Sequence, residues 1–125
     1  MSMIRIPDDN RGNVGRSATV YEPDAQASTS GWVLVDGSLI DSINDSMYSY
    51  TILNSGAQTI TWKILAGNTA DLVDAIEIKA SADLTAAARS SSSNTSLVWR
   101  YYGVYIADKV GGVHGEATIV GIAKG

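Results

Sequence analysis

The sequence of 125 residues predicts an all-β protein, an antiparallel β-sandwich or jelly roll of about seven or eight strands with an extended N-terminal arm. Three observations carry that prediction. Apolar residues recur with a period of two rather than 3.6. Clusters of Gly, Asn, Asp and Ser separate the alternating runs at short spacing. No alternating helix is long enough to cross over between strands of a parallel sheet. The length fits one domain, large enough to form a core without disulfide or metal staples.

Residues 1–16 differ from the rest. Pro7 to Arg16 is turn chemistry with hardly an apolar side chain, too little to offset its own ordering entropy by burial. Three arginines against two aspartates give this segment +1, whereas residues 17–125 carry six bases and eleven acids, or −5. The expected organisation is an N-terminal arm over 1–16 and a β-sandwich domain over 17–125. The arm is read either as a frayed terminus or as a segment that orders on a neighbouring subunit, with Ile4 and Ile6 as apolar pegs.

Ser17–Tyr21 is a short strand, ended by Pro23. Trp32–Val35, Asp36-Gly37 and Ser38–Ile40 form a two-residue hairpin signal, because Asp-Gly tolerates the positive φ of a type I′ turn. That pairing would set Val33 against Ile40 and Leu34 against Leu39. A second hairpin is expected where Tyr48–Ile52 and Gln58–Ile64 both place large side chains at even positions, with Asn54-Ser55-Gly56-Ala57 as the turn. It would put Ile52 beside Ile60, Tyr50 beside Trp62 and Tyr48 beside Ile64, leaving Ser49, Thr51, Thr59, Thr61 and Lys63 on the other face.

Ile76–Ala80 alternates again, after one possible helical turn at Ala70–Asp74. Ser81–Arg89 contains three consecutive alanines and reads either as a short helix or as a loop crossing one end of the sandwich. Ser90–Ser96 is polar and low in complexity, the composition of a surface loop. Leu97–Ile106 is the longest strand expected and is apolar on both faces. Trp99, Tyr101 and Tyr105 would point one way; Val98, Tyr102, Val104 and Ile106 the other. Such a strand is central, or it offers its second face to another subunit. Gly111–Gly115 then turns into a last strand, Ala117–Ala123.

Composition excludes several classes of chemistry. The chain has no cysteine, which removes thiolate nucleophiles, zinc–thiolate and iron–sulfur sites and every disulfide. A net charge of −4 argues against a nucleic-acid partner. No apolar run is long enough to span a membrane as a helix, and the first residues lack the centre of a secretion signal. His114, the single histidine, sits in a glycine-rich turn and reads as a solvated turn residue rather than a base. No Gly-x-Ser-x-Gly elbow occurs, and Gly111, Gly112 and Gly115 lack the spacing of a phosphate loop. Asp41–Ser46 lacks the register and distal glutamate of a calcium loop. Asp71 with Asp74, or Glu77 with Asp83, are the carboxylate pairs any acidic chain offers. Asn44-Asp45-Ser46 and Asn94-Thr95-Ser96 match a glycosylation sequon without a secretion signal to give it meaning. The expectation is no catalytic residues, no cofactor and no metal: not an enzyme.

The aromatic inventory points elsewhere. There are three Trp and six Tyr but no Phe, and these amphipathic rings suit subunit interfaces or sugar-binding faces. Tyr50 and Trp62 read as core. Trp99, Tyr101, Tyr102 and Tyr105 point to both sides of one strand and cannot share a single small core. Trp32, Trp99, Tyr101 and Tyr105 are therefore assigned to self-association.

Thr59–Lys63, Trp99–Ile106 and the closing run Gly115–Lys124 give the last two-thirds of the chain a pattern that resembles small structural proteins of tailed bacteriophages, in particular the capsid decoration (cement) proteins. The resemblance implies a sandwich or jelly-roll body, usually a homotrimer, on the outer surface of the virion capsid, where it clamps neighbouring subunits of the major capsid protein. It brings no catalytic residue. On this reading Arg5, Arg11 and Arg16 meet acidic capsid surface, and Ile4 and Ile6 fill apolar gaps. The alternative is a receptor- or glycan-binding module of a phage fibre or tail; a head-completion or tail-tube protein is a third reading.

Overall fold

The computed structural model describes residues 2–5, 17–21, 25–35 and 37–124, and every regular element among them is a strand. In chain order these are β1 (Ser2–Arg5), β2 (Ser17–Tyr21), β3 (Gln26–Ala27), β4 (Val33–Leu34), β5 (Ile40–Asp41), β6 (Met47–Asn54), β7 (Ile60–Gly67), β8 (Ile76–Leu84), β9 (Arg89–Asn94), β10 (Tyr101–Asp108) and β11 (Glu116–Lys124). They form two antiparallel sheets. One has six strands in the order β1-β2-β11-β6-β9, with β3 also beside β11; the other has five in the order β4-β10-β7-β8, with β5 also beside β10. The expected antiparallel sandwich is what the chain forms.

Alternation sets the two inner faces. Tyr48, Tyr50 and Ile52 of β6, Ile60, Trp62, Ile64 and Ala66 of β7, and Tyr102, Val104 and Ile106 of β10 occupy even positions and are buried in one cluster. Ala117, Ile119 and Ala123 of β11 complete it from odd positions. Tyr48 stacks obliquely on Tyr50 and Tyr102 with ring centroids 5.1 and 5.0 Å away. The core tyrosines satisfy their hydroxyls at its edges, as buried phenols must. Tyr50 Oη donates to Ser38 O at 2.6 Å, and Tyr102 Oη accepts from Trp99 N at 3.0 Å. Burial pushes the Tyr48 phenol up to about 12.

The pairing departs from both expected hairpins. β6 and β7 lie in different sheets, β6 between β11 and β9, β7 between β10 and β8. Ile52, Tyr50 and Tyr48 therefore look across the interior rather than along a ladder at Ile60, Trp62 and Ile64. Asn54, itself buried, holds the arch between them: its Nδ2 donates to Gln58 O at 2.7 Å and Leu84 O at 2.8 Å, and its Oδ1 accepts from Gly56 N at 3.0 Å. A turn also exists at Gly37, which sits at φ 81°, with Ser38 N bonded to Val35 O at 2.9 Å; Asp36 lies outside the described residues. It does not close a hairpin. β4 and β5 run in the same direction along one edge of β10, Leu34 opposite Tyr105 and Ile40 opposite Tyr102, so the pairing on that edge is interrupted between them. Within the interruption Ser38 Oγ accepts from Val104 N at 3.2 Å.

Four further expectations are corrected or narrowed. Residues 70–74 make turns, not a helical turn, and Ser81–Arg89 is no helix but the end of β8 plus a tight turn that crosses from one sheet to the other, the second of the two readings. Ser90–Ser93 is no loop but the body of β9, paired residue for residue with β6. Residues 97–100 precede β10 rather than belonging to it, and Val98 is exposed. In the β8–β9 turn, Ala88 N donates to Thr85 O, and Ala87 sits at φ 64°, a left-handed conformation that strains a Cβ. Ala87→Gly should therefore raise stability by about 0.5–1 kcal/mol, net of the entropy glycine adds to the unfolded chain. A thermal melt checks this; a lower midpoint would contradict it.

Candidate functional site

The outer face of the five-stranded sheet gathers the aromatic residues the core leaves out. Even positions of β10 fill the interior, so Tyr101 and Tyr105 stand on the opposite face, both half-buried. Between them Gly103 leaves a hollow: a Cβ there would lie 2.7 Å from Leu34 Cδ1 and 3.0 Å from Leu72 Cδ1. Two leucines thus occupy the place a side chain would take.

Leu72 reaches this position from the connection between β7 and β8. It is buried, although its backbone is left-handed at φ 55°. Hydrogen bonds offset that strain. Leu72 N donates to Thr69 O, while Asp71 Oδ1 accepts from Thr69 Oγ1 at 2.8 Å and from Val73 N at 3.0 Å. The bonds from Val73 N–H and then Thr69 hold the Asp71 carboxyl below its ordinary value. Burial first, and the nearby Asp71 charge second, push the Tyr105 phenol up. The apex residue Val73 is left 74% exposed.

Trp32, 41% exposed, joins the same face, because Lys63 on the outward side of β7 lays its Nζ 4.2 Å from the indole centroid. Lys63 also meets Glu77 of β8 at 3.6 Å. At the other end Arg100 lies 5.0 Å over Tyr101 and grips Asp41 with two bonds of 3.0 Å, Nε to Oδ1 and Nη2 to Oδ2. The Arg100 hydrogen bond is the main reason the Asp41 carboxyl lies below its usual range. The surface is thus aromatic and aliphatic, with Lys63 paired to Glu77, Arg100 to Asp41, and the Asp71 carboxylate beside Tyr105 held by hydrogen bonds from Thr69 and Val73.

Trp99 is elsewhere. Its ring packs against the interior cluster, and its carbonyl accepts from Ser42 Oγ at 2.8 Å, so it closes one end of the core. Of the arm residues, Ile4 and Arg5 lie on β1, where Ile4 pairs with Ala18 and Arg5 with Ser17. Ile6, Arg11 and Arg16 lie outside the described residues.

At the opposite end of the sandwich, His114 is largely exposed, yet its Nδ1 lies 2.9 Å from Oδ2 of Asp108, whose side chain is fully enclosed. Ser28 Oγ donates to Asp108 Oδ1 and accepts from Gly115 N at 2.7 Å; Gly112 N donates to Asp108 Oδ2 at 3.1 Å. Three residue types of a hydrolytic relay meet here in the wrong order. The carboxylate stands between hydroxyl and imidazole, so the imidazole is bonded to Asp108 and not to the serine it would have to deprotonate. What the arrangement does is tie the β3–β4 connection, the end of β10 and the β10–β11 loop together. The sequence showed His114 in its turn but gave no sign of Ser28 or Asp108, which are 80 residues apart.

No family model matches the sequence, and no curated protein matches it. Solved structures do share its shape. The SPBc2 prophage-derived protein YomS is similar with a TM-score of 0.57 and 12% identity, over 93% of this chain and 100% of that one. A chain from the disulfide-linked pili described for Bacillus endospore appendages gives 0.52 and 14%, over 92% and 95%. At these identities the likeness is one of fold.

Proposed function

We propose that this protein is a virion structural component, a capsid decoration protein that oligomerises, as a homotrimer, and reinforces a phage head from its outer surface by binding neighbouring major capsid subunits. The observation that carries this reading is the outer face of the five-stranded sheet, where Trp32, Tyr101 and Tyr105 lie with the Leu72 loop and where Lys63 and Arg100 are each paired with a carboxylate. The likeness to a prophage-derived protein supports a phage origin. The strand order supports a jelly roll: β2-β11-β6-β9 faces β4/β5-β10-β7-β8, and all links from β5 onward except β7–β8 cross between sheets. Disulfide linkage of the kind named for the pili is not available to a chain without cysteine.

In this reading the protein transforms no substrate and uses no cofactor. Its outer face joins copies, residues 1–16 engage the capsid, and many weak contacts across a lattice add up to firm reinforcement. The test has two arms. Native mass measurement should give a trimer or a multiple of it, and Trp32→Glu with Tyr105→Glu should abolish the threefold assembly while the fold is kept. Removing residues 1–16 should leave the assembly intact and eliminate its binding to emptied capsid shells. Unchanged mass in the first arm, or unchanged shell binding in the second, would refute the corresponding role.

A further inference from the structure

Sheet edges are where a β-sandwich is open to other chains, and proteins blunt them with charges, bulges, interruptions or covering segments. Three of the four edges here are treated in that way or are short. β8 carries Glu77, Lys79 and Asp83, and its register with β7 slips between Trp62 and Leu65. The β4/β5 edge is interrupted between Leu34 and Ile40. β1 is four residues long. β9 is the exception. It pairs with β6 over six successive residues with no slip, and among the described residues no strand lies on its other side. Its sequence Arg89-Ser90-Ser91-Ser92-Ser93-Asn94 places neither proline nor charge between Ser90 and Asn94.

We infer that β9 pairs antiparallel, about a twofold axis, with β9 of a second copy, so that two six-stranded sheets become one. The strand is complementary to itself. With Ser92 opposite its own counterpart, Ser91 faces Ser93 and Ser90 faces Asn94, small hydroxyl and amide groups able to bond across the strands. Arg89 falls outside the paired run, so no like charges meet. A twofold axis normal to the sheet keeps each face on its own side. Exposed Ser91 and Ser93 thus meet on the outer face, while half-buried Ser92 meets its copy on the inner one. This contact uses a different surface from Trp32 and Tyr105 and stands or falls without them.

The absence of cysteine gives a clean test. Opposed Cα atoms of an antiparallel pair lie about 4.5–5.5 Å apart, within disulfide range. Oxidised S92C should run as a covalent dimer on a non-reducing gel, and S91C alone should not. W32E/Y105E in the S92C background should leave that dimer unchanged, which separates this contact from the outer-face assembly. S91K/S93K sets lysine against lysine twice and should at least halve the native mass; S91K/S93E sets lysine against glutamate twice and should restore it. A monomeric oxidised S92C, or equal masses for the two charge variants, would overturn the inference.

Discussion

Trp62→Ala should remove about 3–5 kcal/mol of folding stability, the range for emptying a buried tryptophan site. That is a large share of the roughly 5–15 kcal/mol that holds such a domain together. The position explains the size. Trp62 is 1% exposed, on a strand flanked by β10 and β8, with its ring turned into the space between the sheets. It also serves the edge strand: Lys79 extends its Nζ 4.1 Å from the indole centroid, and the burial this entails lowers the lysine's pKa. Alanine would leave both a cavity and an ammonium group without its aromatic partner. Val120→Ala, on the outer side of β11 at 38% exposure, should stay within about 0.5 kcal/mol. Urea unfolding followed by circular dichroism gives both values. A loss below about 1 kcal/mol for Trp62→Ala would mean the indole does not bridge the layers.

The contrast between Trp62 and its expected neighbour marks what a sequence of this kind reveals. Period two assigns a face to each residue, and every large even position in β6, β7 and β10 is in the core as that rule requires. It does not name the neighbour. A hairpin and an arch between sheets present the same alternation, and the choice rests with Asn54. Its side chain spans from Gln58 to Leu84, a bond across 30 residues that the local motif Asn-Ser-Gly does not announce. The same holds at Gly37, where the turn was legible but the ladder partner of β4 and β5, β10, was not. Ser90–Ser93 misled for a different reason. Serine has weak strand preference, and pairing with β6 overrode it. At Ala86–Ala88 helix propensity likewise yielded to a turn that only the sheet-to-sheet connection explains.

For the candidate surface, alternation along β10 was enough to set Tyr101 and Tyr105 outward. Trp99 escaped the rule because the strand begins two residues later. The Leu72 lid was invisible for a physical reason. A leucine at positive φ, carried by a polar loop onto a glycine 31 residues away, has no periodic signature. Lys63 over Trp32 depends on how β4, β10 and β7 pair, which no single segment encodes; Arg100, next to Tyr101 in the chain, is held over it by Asp41 of β5.

Asp108→Asn should make stability lower at neutral pH and flatter in acid. Enclosure pushes the Asp108 carboxyl up, but hydrogen bonds from Ser28, Gly112 N–H and His114 outweigh it and hold the group below its ordinary value. A depressed folded-state pKa means the ionised group stabilises the fold above its unfolded value of about 3.9 and loses that contribution as pH falls through the folded value. Asparagine keeps the shape but puts an amide where Oδ2 accepted two bonds, so Gly112 N and the His114 ring lose their acceptor. The variant should therefore start less stable and lose less on acidification, and the two curves should converge below about pH 4. Asp41 and Asp71, also held low, titrate equally in both proteins and cancel in the difference. Urea midpoints between about pH 2.5 and 7 measure that difference directly. A gap that stays constant into acid would mean the amide fails through shape alone and that the carboxylate's charge does not hold Ser28, β10 and the β10–β11 loop together.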